Sequence, residues 1–464
     1  MPINYESVIK MLNIAKKNNV YIHAMNVLKD GEVVLSFAIP PYNSDDRRQV
    51  FSMSKSFTSI AVGICYDEGL LSLEDRLEKF FPLECYESGN ERSREITISN
   101  LLTMSSGHNA CSMEAIRNSN NGPKTFLSIP LDHESGTEFN YNTGATYMLS
   151  AIVQKVTGMK LVDYLYDRLF KPLNIPKPYW ACSGGNICEG GVGLFISSND
   201  ICKFAMMLYN NGVYNGIRIV SEEYLALATS KRIITPPATT DWIQGYGYQF
   251  WINRENGFRA DGAFGQLCVI LKDRNVAYTI LGEVHNMQTE MDLCYEMLDD
   301  LFEDSIVNEN DFERYLSDYY NYETSCSFDI SSIYNIDKDY EWLKIKSLGN
   351  NLELILKNDH GEQVIRSVCG DYTMNEGIYA HLIPDFYDSP DRAKYKRILS
   401  YSTHYFKNGS LYLVNRYVEY PHTLTWRFDF DDDRVSINIS SFTSQLIVEH
   451  CSLNGQKRID NIEV

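Results

Sequence analysis

The feature that most constrains the fold of this chain is a change of hydrophobic period near residue 305. Before it, stretches with the 3.6-residue period of helices alternate with strand-like runs. Beyond about residue 340, about eight to ten short runs alternate apolar and polar residues, which is typical of β-strands. A chain of 464 residues is longer than a single hydrophobic core usually supports, so more than one domain is expected. We predict a first domain over 1–305, a linker over 306–335 and an accessory β domain over 336–464.

In the first domain, strand-like segments flank a helical middle. Residues 19–40 predict a hairpin with a Lys-Asp-Gly turn, and residues 245–284 predict three strands separated by Gly-rich and Asp-Arg-Asn turns. A helix is predicted to begin near Ser52, and residues 288–303 have the pattern of a closing amphipathic helix. Strands at both ends of a helical middle indicate an α+β fold with an inserted helical lobe.

The alternating segment at the end of the chain predicts a separate antiparallel all-β fold. Its runs are short and closely spaced, as in 'SLYLVNRYVEYPHTLTWRFDFDDDRVSINISSF'. Both a β-sandwich and a lipocalin-like barrel fit this pattern, and we leave the two open.

The charge balance limits the classes of partner. The chain has 61 acidic and 42 basic side chains and a formal net charge of -19, which repels nucleic acid and anionic membrane surfaces. We expect no nucleic-acid or membrane partner. The 11 cysteines are scattered and form no CxxC pair, so reduced thiols are expected and no metal site is predicted. The N-terminal residues lack the apolar core of a signal peptide, which predicts a cytoplasmic chain.

Hydroxyl groups and a lysine cluster where the helix near Ser52 begins, in 'FSMSKSFTSIAVGICYDEG'. Ser52 and Lys55 are spaced i, i+3 and share one helix face, whereas Ser54 points elsewhere. A buried lysine can lose its proton through desolvation and then accept the proton of a serine hydroxyl. The same spacing recurs at Ser7 and Lys10, in a segment typical of an N-terminal helix, so the spacing alone does not identify a nucleophile.

Further motifs follow Ser52 in a fixed order: 'ITISNLLTMSSGHN', 'FNYNTGATYMLSAIVQKVTG', 'GGVGLFISSNDICKFAMMLYNNG' and 'ADGAFGQ'. With them, roughly residues 15–305 resemble the serine β-lactamase and penicillin-binding-protein superfamily, in its class C-like branch of esterases, D-aminopeptidases, D,D-peptidases and 6-aminohexanoate-dimer hydrolases. The resemblance implies a β-lactamase/transpeptidase-like antiparallel sheet flanked by helices. It also implies a serine hydrolase that needs no cofactor and acts on a small ester, amide or peptide.

The resemblance assigns catalytic roles to three residues. Ser52, in 'SMSK', would be the acylated nucleophile, and Lys55 would accept its proton. Tyr141, in the tripeptide that ends at Thr143, would share the general-base role and later protonate the leaving group. Thr143 stands where the family carries an amide, so the amide's hold on the substrate carbonyl must be weaker or supplied elsewhere.

The third family signature, Lys-Thr-Gly or His-x-Gly, corresponds to the 'DGA' that begins at Asp261. The resemblance implies that the backbone N–H groups of Phe264 and Ser52 form the oxyanion hole, with Gly262 keeping the backbone approachable. The family's lysine or histidine meets a substrate carboxylate, which Asp261 would repel at a cost of ~1 to 4 kcal/mol at about 4 Å. Arg259 lies on the same strand face and could offset this charge. We therefore expect a preference for neutral or amine-bearing esters and amides.

Two alternatives to an ester or amide hydrolase stay open. A true β-lactamase or D,D-peptidase fits the same motifs, although the lack of an export signal argues against it. A non-catalytic ligand-binding protein that retains the fold is suggested by the departures at Thr143 and Asp261. Hydrolases with a nucleophile elbow are excluded because the chain has no GxSxG motif. The sequence does not assign an oligomeric state.

Overall fold

The computed structural model describes residues 2–320, 330–336, 341–358, 361–377, 398–441 and 451–457. The chain divides into two compact units. The first is built on Asn43–Asn308 and the residues up to Ala38; the second contains Ile39–Tyr42 and most of the chain from Glu309 onward. The boundaries inferred from the sequence remain a proposal.

The α-helices of the described residues are α1 (Tyr5–Lys17), α2 (Ser54–Asp67), α3 (Leu77–Phe80), α4 (Pro82–Ser88), α5 (Ile98–Leu102), α6 (Met113–Arg117), α7 (Gly122–Ser128), α8 (Thr143–Thr157), α9 (Leu161–Leu165), α10 (Ser198–Tyr209), α11 (Glu222–Ala228), α12 (Met287–Asp300) and α13 (Glu309–Asp318). Short 3₁₀ helices span Phe51–Met53 and Glu91–Glu95, and a π-helical turn spans Tyr166–Phe170. Across the described ranges, no helix is long and apolar enough to span a membrane.

The strands of the first unit are β1 (Val20–Lys29), β2 (Glu32–Ala38), β3 (Arg48–Gln49), β4 (Tyr179–Trp180), β5 (Cys182–Ser183), β6 (Ile187–Cys188), β7 (Leu194–Ile196), β8 (Val213–Tyr214), β9 (Ile217–Arg218), β10 (Trp251–Asn253), β11 (Gly257–Gly262), β12 (Gln266–Leu271) and β13 (Val276–Val284). Those of the second unit are β14 (Ile330–Ile336), β15 (Trp342–Leu348), β16 (Asn351–Asn358), β17 (Gly361–Cys369), β18 (Thr373–Gly377), β19 (Ile398–Lys407), β20 (Ser410–Tyr417), β21 (Thr423–Asp431), β22 (Arg434–Ser441) and β23 (Cys451–Lys457).

The first unit is organised around a six-stranded antiparallel sheet in the order β10-β11-β12-β13-β1-β2. Strands β1 and β13 come from opposite ends of the unit and pair with Val20 opposite Val284. This pairing joins the two ends around the helical middle, which confirms the predicted α+β arrangement. The sequence predicted three strands over 245–284, but the structure has four, β10 to β13. Strand β10 has three residues, which is too short to show an alternating pattern.

Helices cover both faces of this sheet. The pair α1 and α12 packs together beside β1, and α10 packs on β1, β12 and β13. Every residue of β13 is buried, as expected for a strand covered on both sides. The β1–β2 hairpin turns through Asp30 and Gly31, both with positive φ, as the Lys-Asp-Gly signal predicts.

The second unit contains a ten-stranded sheet in the order β17-β16-β15-β14-β23-β22-β21-β20-β19-β18. Strand β17 also pairs with β19, so the sheet curls into a nearly closed barrel. The alternation of β22 puts Val435, Ile437 and Ile439 in the interior. The predicted all-β fold is confirmed, and of its two forms the barrel is observed.

Two sequence expectations concern the part of the chain after residue 305. The segment expected as a linker, 306–335, contains α13 and most of β14, while its residues 321–329 lie outside the described part of the chain. Cys369 is disulfide-bonded, so the expectation of reduced thiols is wrong there.

Candidate active site

Ser52 and Lys55 meet at the beginning of α2. Ser52 lies in the 3₁₀ helix that runs directly into α2, so the α-helix begins two residues later than predicted. The Nζ atom of Lys55 is 3.0 Å from the Oγ atom of Ser52. Lys55 is 1% exposed, whereas Ser52 is only half-buried. The structure thus combines a partly exposed serine with a buried amine.

Lys55 has two further acceptors. Its Nζ donates to the carbonyl oxygen of Gly191 at 2.8 Å and to Oγ1 of Thr143 at 3.2 Å. Burial lowers the pKa of Lys55 to about 7, with a smaller opposing effect of the Asp261 carboxylate. A neutral Lys55 therefore has a substantial population near pH 7. In the neutral form, two N–H groups suffice for the bonds to Gly191 and Thr143, and the nitrogen lone pair is then available to accept the Ser52 proton.

Tyr141 and Thr143 flank the N-cap of α8. The cap is Asn142, whose side chain accepts from the backbone N–H of Gly144 at 2.9 Å. Lys55 Nζ lies 4.7 Å from the centroid of the Tyr141 ring. The structure therefore brings both predicted residues to Lys55, and Thr143 contacts the lysine directly through its hydroxyl.

The turn that contains Phe264 packs against the residues that precede Ser52. A Cβ atom added to Gly262 would lie 2.1 Å from the carbonyl oxygen of Val50, so only glycine fits at this approach. The rings of Phe51 and Phe264 are in edge contact, with centroids 5.3 Å apart. These contacts hold the proposed oxyanion donors, the N–H groups of Ser52 and Phe264, in neighbouring segments.

Two buried polar side chains support the same turn. The Nε2 atom of Gln266 donates to the carbonyl oxygens of Phe264 and Gly282, both at 2.9 Å. Glu290, on α12, lies beneath it, since a Cβ on Gly265 would be 2.7 Å from Glu290 Oε1. Burial raises the pKa of Glu290 to about 8, so its carboxyl is mostly protonated at neutral pH.

Asp261 forms a buried ion pair with Arg259. Nε of Arg259 donates to Oδ2 of Asp261 at 3.0 Å, and Nη1 donates to the carbonyl oxygen of Asp241 at 3.0 Å. Burial raises the pKa of Asp261, and the Arg259 guanidinium opposes this rise. The sequence suggested that Arg259 could neutralise the charge of Asp261, and in the structure the two side chains are in direct contact.

The hydroxyl groups of α2 bind the segments that surround the site. They donate to backbone carbonyl oxygens: Ser54 to Phe51 at 2.6 Å, Ser56 to Gln249 at 2.7 Å, Thr58 to Gly190 at 2.8 Å and Ser59 to Tyr248 at 2.7 Å. The polar composition of this buried helix is therefore explained by hydrogen bonds to its neighbours.

Two parts of the site were not predicted. The carbonyl oxygen of Gly191 accepts a hydrogen bond from Lys55. A Cβ on Gly191 would lie 2.7 Å from Cγ2 of Thr143, so the close approach requires glycine. The glycine pair in 'GGVG' was the sequence signal that could have indicated this contact. Arg117 binds the buried carboxylate of Glu189 through two hydrogen bonds of 2.8 and 2.7 Å. This ion pair joins α6 to the residue that precedes Gly190 and Gly191. The two residues are far apart in the sequence, so no local motif predicts their contact.

Comparisons with known proteins show which family and which fold the chain matches. The family model described as Beta-lactamase matches residues 23–289. Protein flp of Staphylococcus aureus (strain MW2) is 29% identical over 164 residues, which are 32% of this chain and 32% of that protein. The match thus spans about a third of that relative's length.

Two solved structures share the fold. The octameric penicillin-binding protein homologue from Pyrococcus abyssi has a TM-score of 0.53 at 16% identity and covers 97% of this chain and 99% of its own. EstCE1, a hydrolase with promiscuous acyltransferase activity, has a TM-score of 0.53 at 14% identity and covers 64% of this chain and 98% of its own. Since the family model spans more than half of the sequence and includes every predicted site residue, the chain belongs to the Beta-lactamase family of serine hydrolases.

Proposed function

We propose that this protein hydrolyses a neutral ester or amide through an acyl-enzyme on Ser52. The observation that carries the proposal is the 3.0 Å contact between Ser52 Oγ and Nζ of the buried Lys55. A lysine with a pKa of about 7 can act as a general base at neutral pH, which an ordinary exposed lysine cannot.

In the proposed acylation step, Lys55 takes the proton of Ser52 while Oγ attacks the carbonyl carbon. The N–H groups of Ser52 and Phe264 donate to the negative oxygen that develops. Tyr141, beside Lys55, passes a proton to the leaving alcohol or amine as its bond to the carbonyl carbon breaks. Water then attacks the acyl-enzyme with the same groups as base and acid, and releases the carboxylic acid and Ser52.

The charge next to the site supports neutral substrates. The family places a cation where this chain has Asp261, and Asp261 is paired with Arg259 at 3.0 Å. A paired carboxylate and guanidinium have no net charge, so this strand lacks the attraction for a substrate carboxylate that a lone lysine supplies. We therefore propose that β-lactams and peptides with a terminal carboxylate are poor substrates.

The test is burst and steady-state hydrolysis of p-nitrophenyl butyrate, with nitrocefin in parallel. Ser52→Ala should abolish ester turnover. Ser7→Ala is the matched control, because Ser7 has the same spacing to Lys10, whose side chain is 67% exposed. The Oγ atom of Ser7 donates to the carbonyl of Asn4 at 2.8 Å, as a helix-start serine does.

The outcomes separate the alternatives. Ester turnover that depends on Ser52, with nitrocefin much slower, supports the proposal. Nitrocefin turnover at the rate of the ester would favour a true β-lactamase or D,D-peptidase. Equal and negligible turnover by the wild type and both variants would favour a ligand-binding protein that retains the fold.

A further inference from the structure

Four aromatic side chains form a continuous surface beside the nucleophile, here called the aromatic shelf: Phe139, Tyr141, Tyr246 and Trp251. Trp251 is central, with ring centroids 5.7 Å from Phe139, 5.8 Å from Tyr141 and 4.9 Å from Tyr246. Tyr246 is buried, whereas the other three rings are half-buried. Parts of three rings of the shelf are therefore exposed to solvent beside the proposed nucleophile.

The shelf begins at the catalytic groups. Its Tyr141 ring centroid is 4.7 Å from Lys55 Nζ. On its other side, the Trp251 side chain is close enough to Asp261 to help lower the pKa of that carboxyl, and Asp261 is itself within electrostatic reach of Lys55. A ligand lying on the shelf would thus be next to the group that takes the Ser52 proton.

The central ring of the shelf is held in place before any ligand arrives. The guanidinium carbon of Arg259 is 5.4 Å from the Trp251 ring centroid, and the ring centroid of Trp242 is 6.3 Å from it. Trp251 stacks against Tyr141, with ring planes 22° apart, and meets Phe139 and Tyr246 at 60° and 82°. The rings restrain one another, so an aromatic group that packs against their exposed parts costs little side-chain freedom on binding.

We propose that the aromatic shelf binds a planar aromatic leaving group, so that the substrates are uncharged aryl esters or arylamides. The proposal rests on the proposed hydrolase function, in which Tyr141 protonates the leaving atom. That atom must lie within hydrogen-bond reach of the Tyr141 hydroxyl, so the group attached to it extends over the rings that surround Tyr141. Hydrolysis then adds water across the acyl bond and releases the phenol or arylamine together with the carboxylic acid.

The test compares 2-naphthyl acetate with trifluoroethyl acetate, which form the same acetyl-enzyme and differ only in the leaving group. In Phe139→Leu and Trp251→Leu, kcat/KM for the naphthyl ester should fall about tenfold further than for the trifluoroethyl ester. Tyr86→Leu is the control, since Tyr86 is 76% exposed and lies outside the shelf. An equal fall for both esters would overturn the proposal, as would a selective fall for methyl benzoate, which has its ring on the acyl side.

Binding of 2-naphthol to Ser52→Ala protein, followed by saturation-transfer NMR, separates this proposal from the hydrolase function. If the naphthol signal is lost in the double variant Ser52→Ala/Trp251→Leu, binding to the aromatic shelf is supported even if neither ester is hydrolysed. A naphthol signal that is unchanged by Trp251→Leu overturns the shelf even if Ser52 proves to be the nucleophile.

Discussion

Phe51 and Phe264 both have a left-handed backbone, with φ of 46° and 66°, and their rings pack edge to face against each other. This conformation costs a residue with a large side chain about 1 to 3 kcal/mol. Phe51 precedes Ser52, and Phe264 carries the other proposed oxyanion donor. The ring contact therefore stabilises two strained peptides at the place where two N–H groups have to converge.

A double-mutant cycle measures this coupling. Leucine at Phe51 and at Phe264 keeps apolar bulk but removes the ring contact, so the two substitutions should be coupled by about 1 kcal/mol in the free energy of unfolding. The same cycle on kcat for an ester should also show coupling, because both donors act on one oxygen. Strictly additive effects in both measurements would mean that the rings do not support each other.

The activity should depend on pH through Lys55. Because the amine must be neutral to accept the Ser52 proton, kcat/KM should rise with pH and level off above the lysine pKa of about 7. Lys55→Arg keeps a permanently charged group and should lower kcat at least a hundredfold. Lys10→Arg is the control. Retention of most activity in Lys55→Arg would remove Lys55 from the role of base.

Removing the Asp261 charge should change substrate preference. Asp261→Asn keeps the side-chain shape and leaves the Arg259 charge unbalanced, so a substrate carboxylate would be attracted. The ratio of kcat/KM for nitrocefin to that for p-nitrophenyl butyrate should rise about tenfold. Equal changes for the two substrates would show that this ion pair does not select by charge.

Glu290→Gln should stabilise the protein at alkaline pH. Burial raises the pKa of Glu290 from its ordinary value of 4.5 to about 8. Between these values the unfolded chain releases the proton and the folded one keeps it, so stability falls as pH rises through this window. The glutamine variant lacks this loss and should gain at most about 5 kcal/mol in unfolding free energy at pH 8, with little gain at pH 4.5.

Urea unfolding at both pH values provides the measurement. Glu296→Gln is the matched control on the same helix, because Glu296 is exposed and should leave the pH dependence unchanged. A wild-type stability that is flat between pH 4.5 and 8 would contradict the buried, protonated state of Glu290.

The sequence predicts relationships that are local or that recur in order. Ser52 and Lys55 are three residues apart, and a 3₁₀ turn and an α-helical turn both keep such a pair on one side, so the prediction did not depend on where the helix begins. The strand patterns at both ends of the unit predicted an α+β arrangement, whereas the pairing of β1 with β13 was found only in the structure.

Contacts made by backbone atoms across long separations could not be predicted. Gly191 reaches Lys55 through its carbonyl across 136 residues, and a carbonyl group is the same in every residue type. The rings of Phe139 and Trp251 likewise come from separate segments, so no periodicity marks them as one surface. Thr143 could be located by its place among the motifs, but its bond to Lys55 required the fold.

The hydroxyl groups of α2 have a consequence for how this helix is held in the protein. Ser56, Thr58 and Ser59 donate to main-chain oxygens of Gln249, Gly190 and Tyr248. The acceptors are main-chain atoms of three separate segments. The helix that carries Lys55 is therefore attached to each of these segments through its backbone, whichever accessible side chains their neighbouring residues carry.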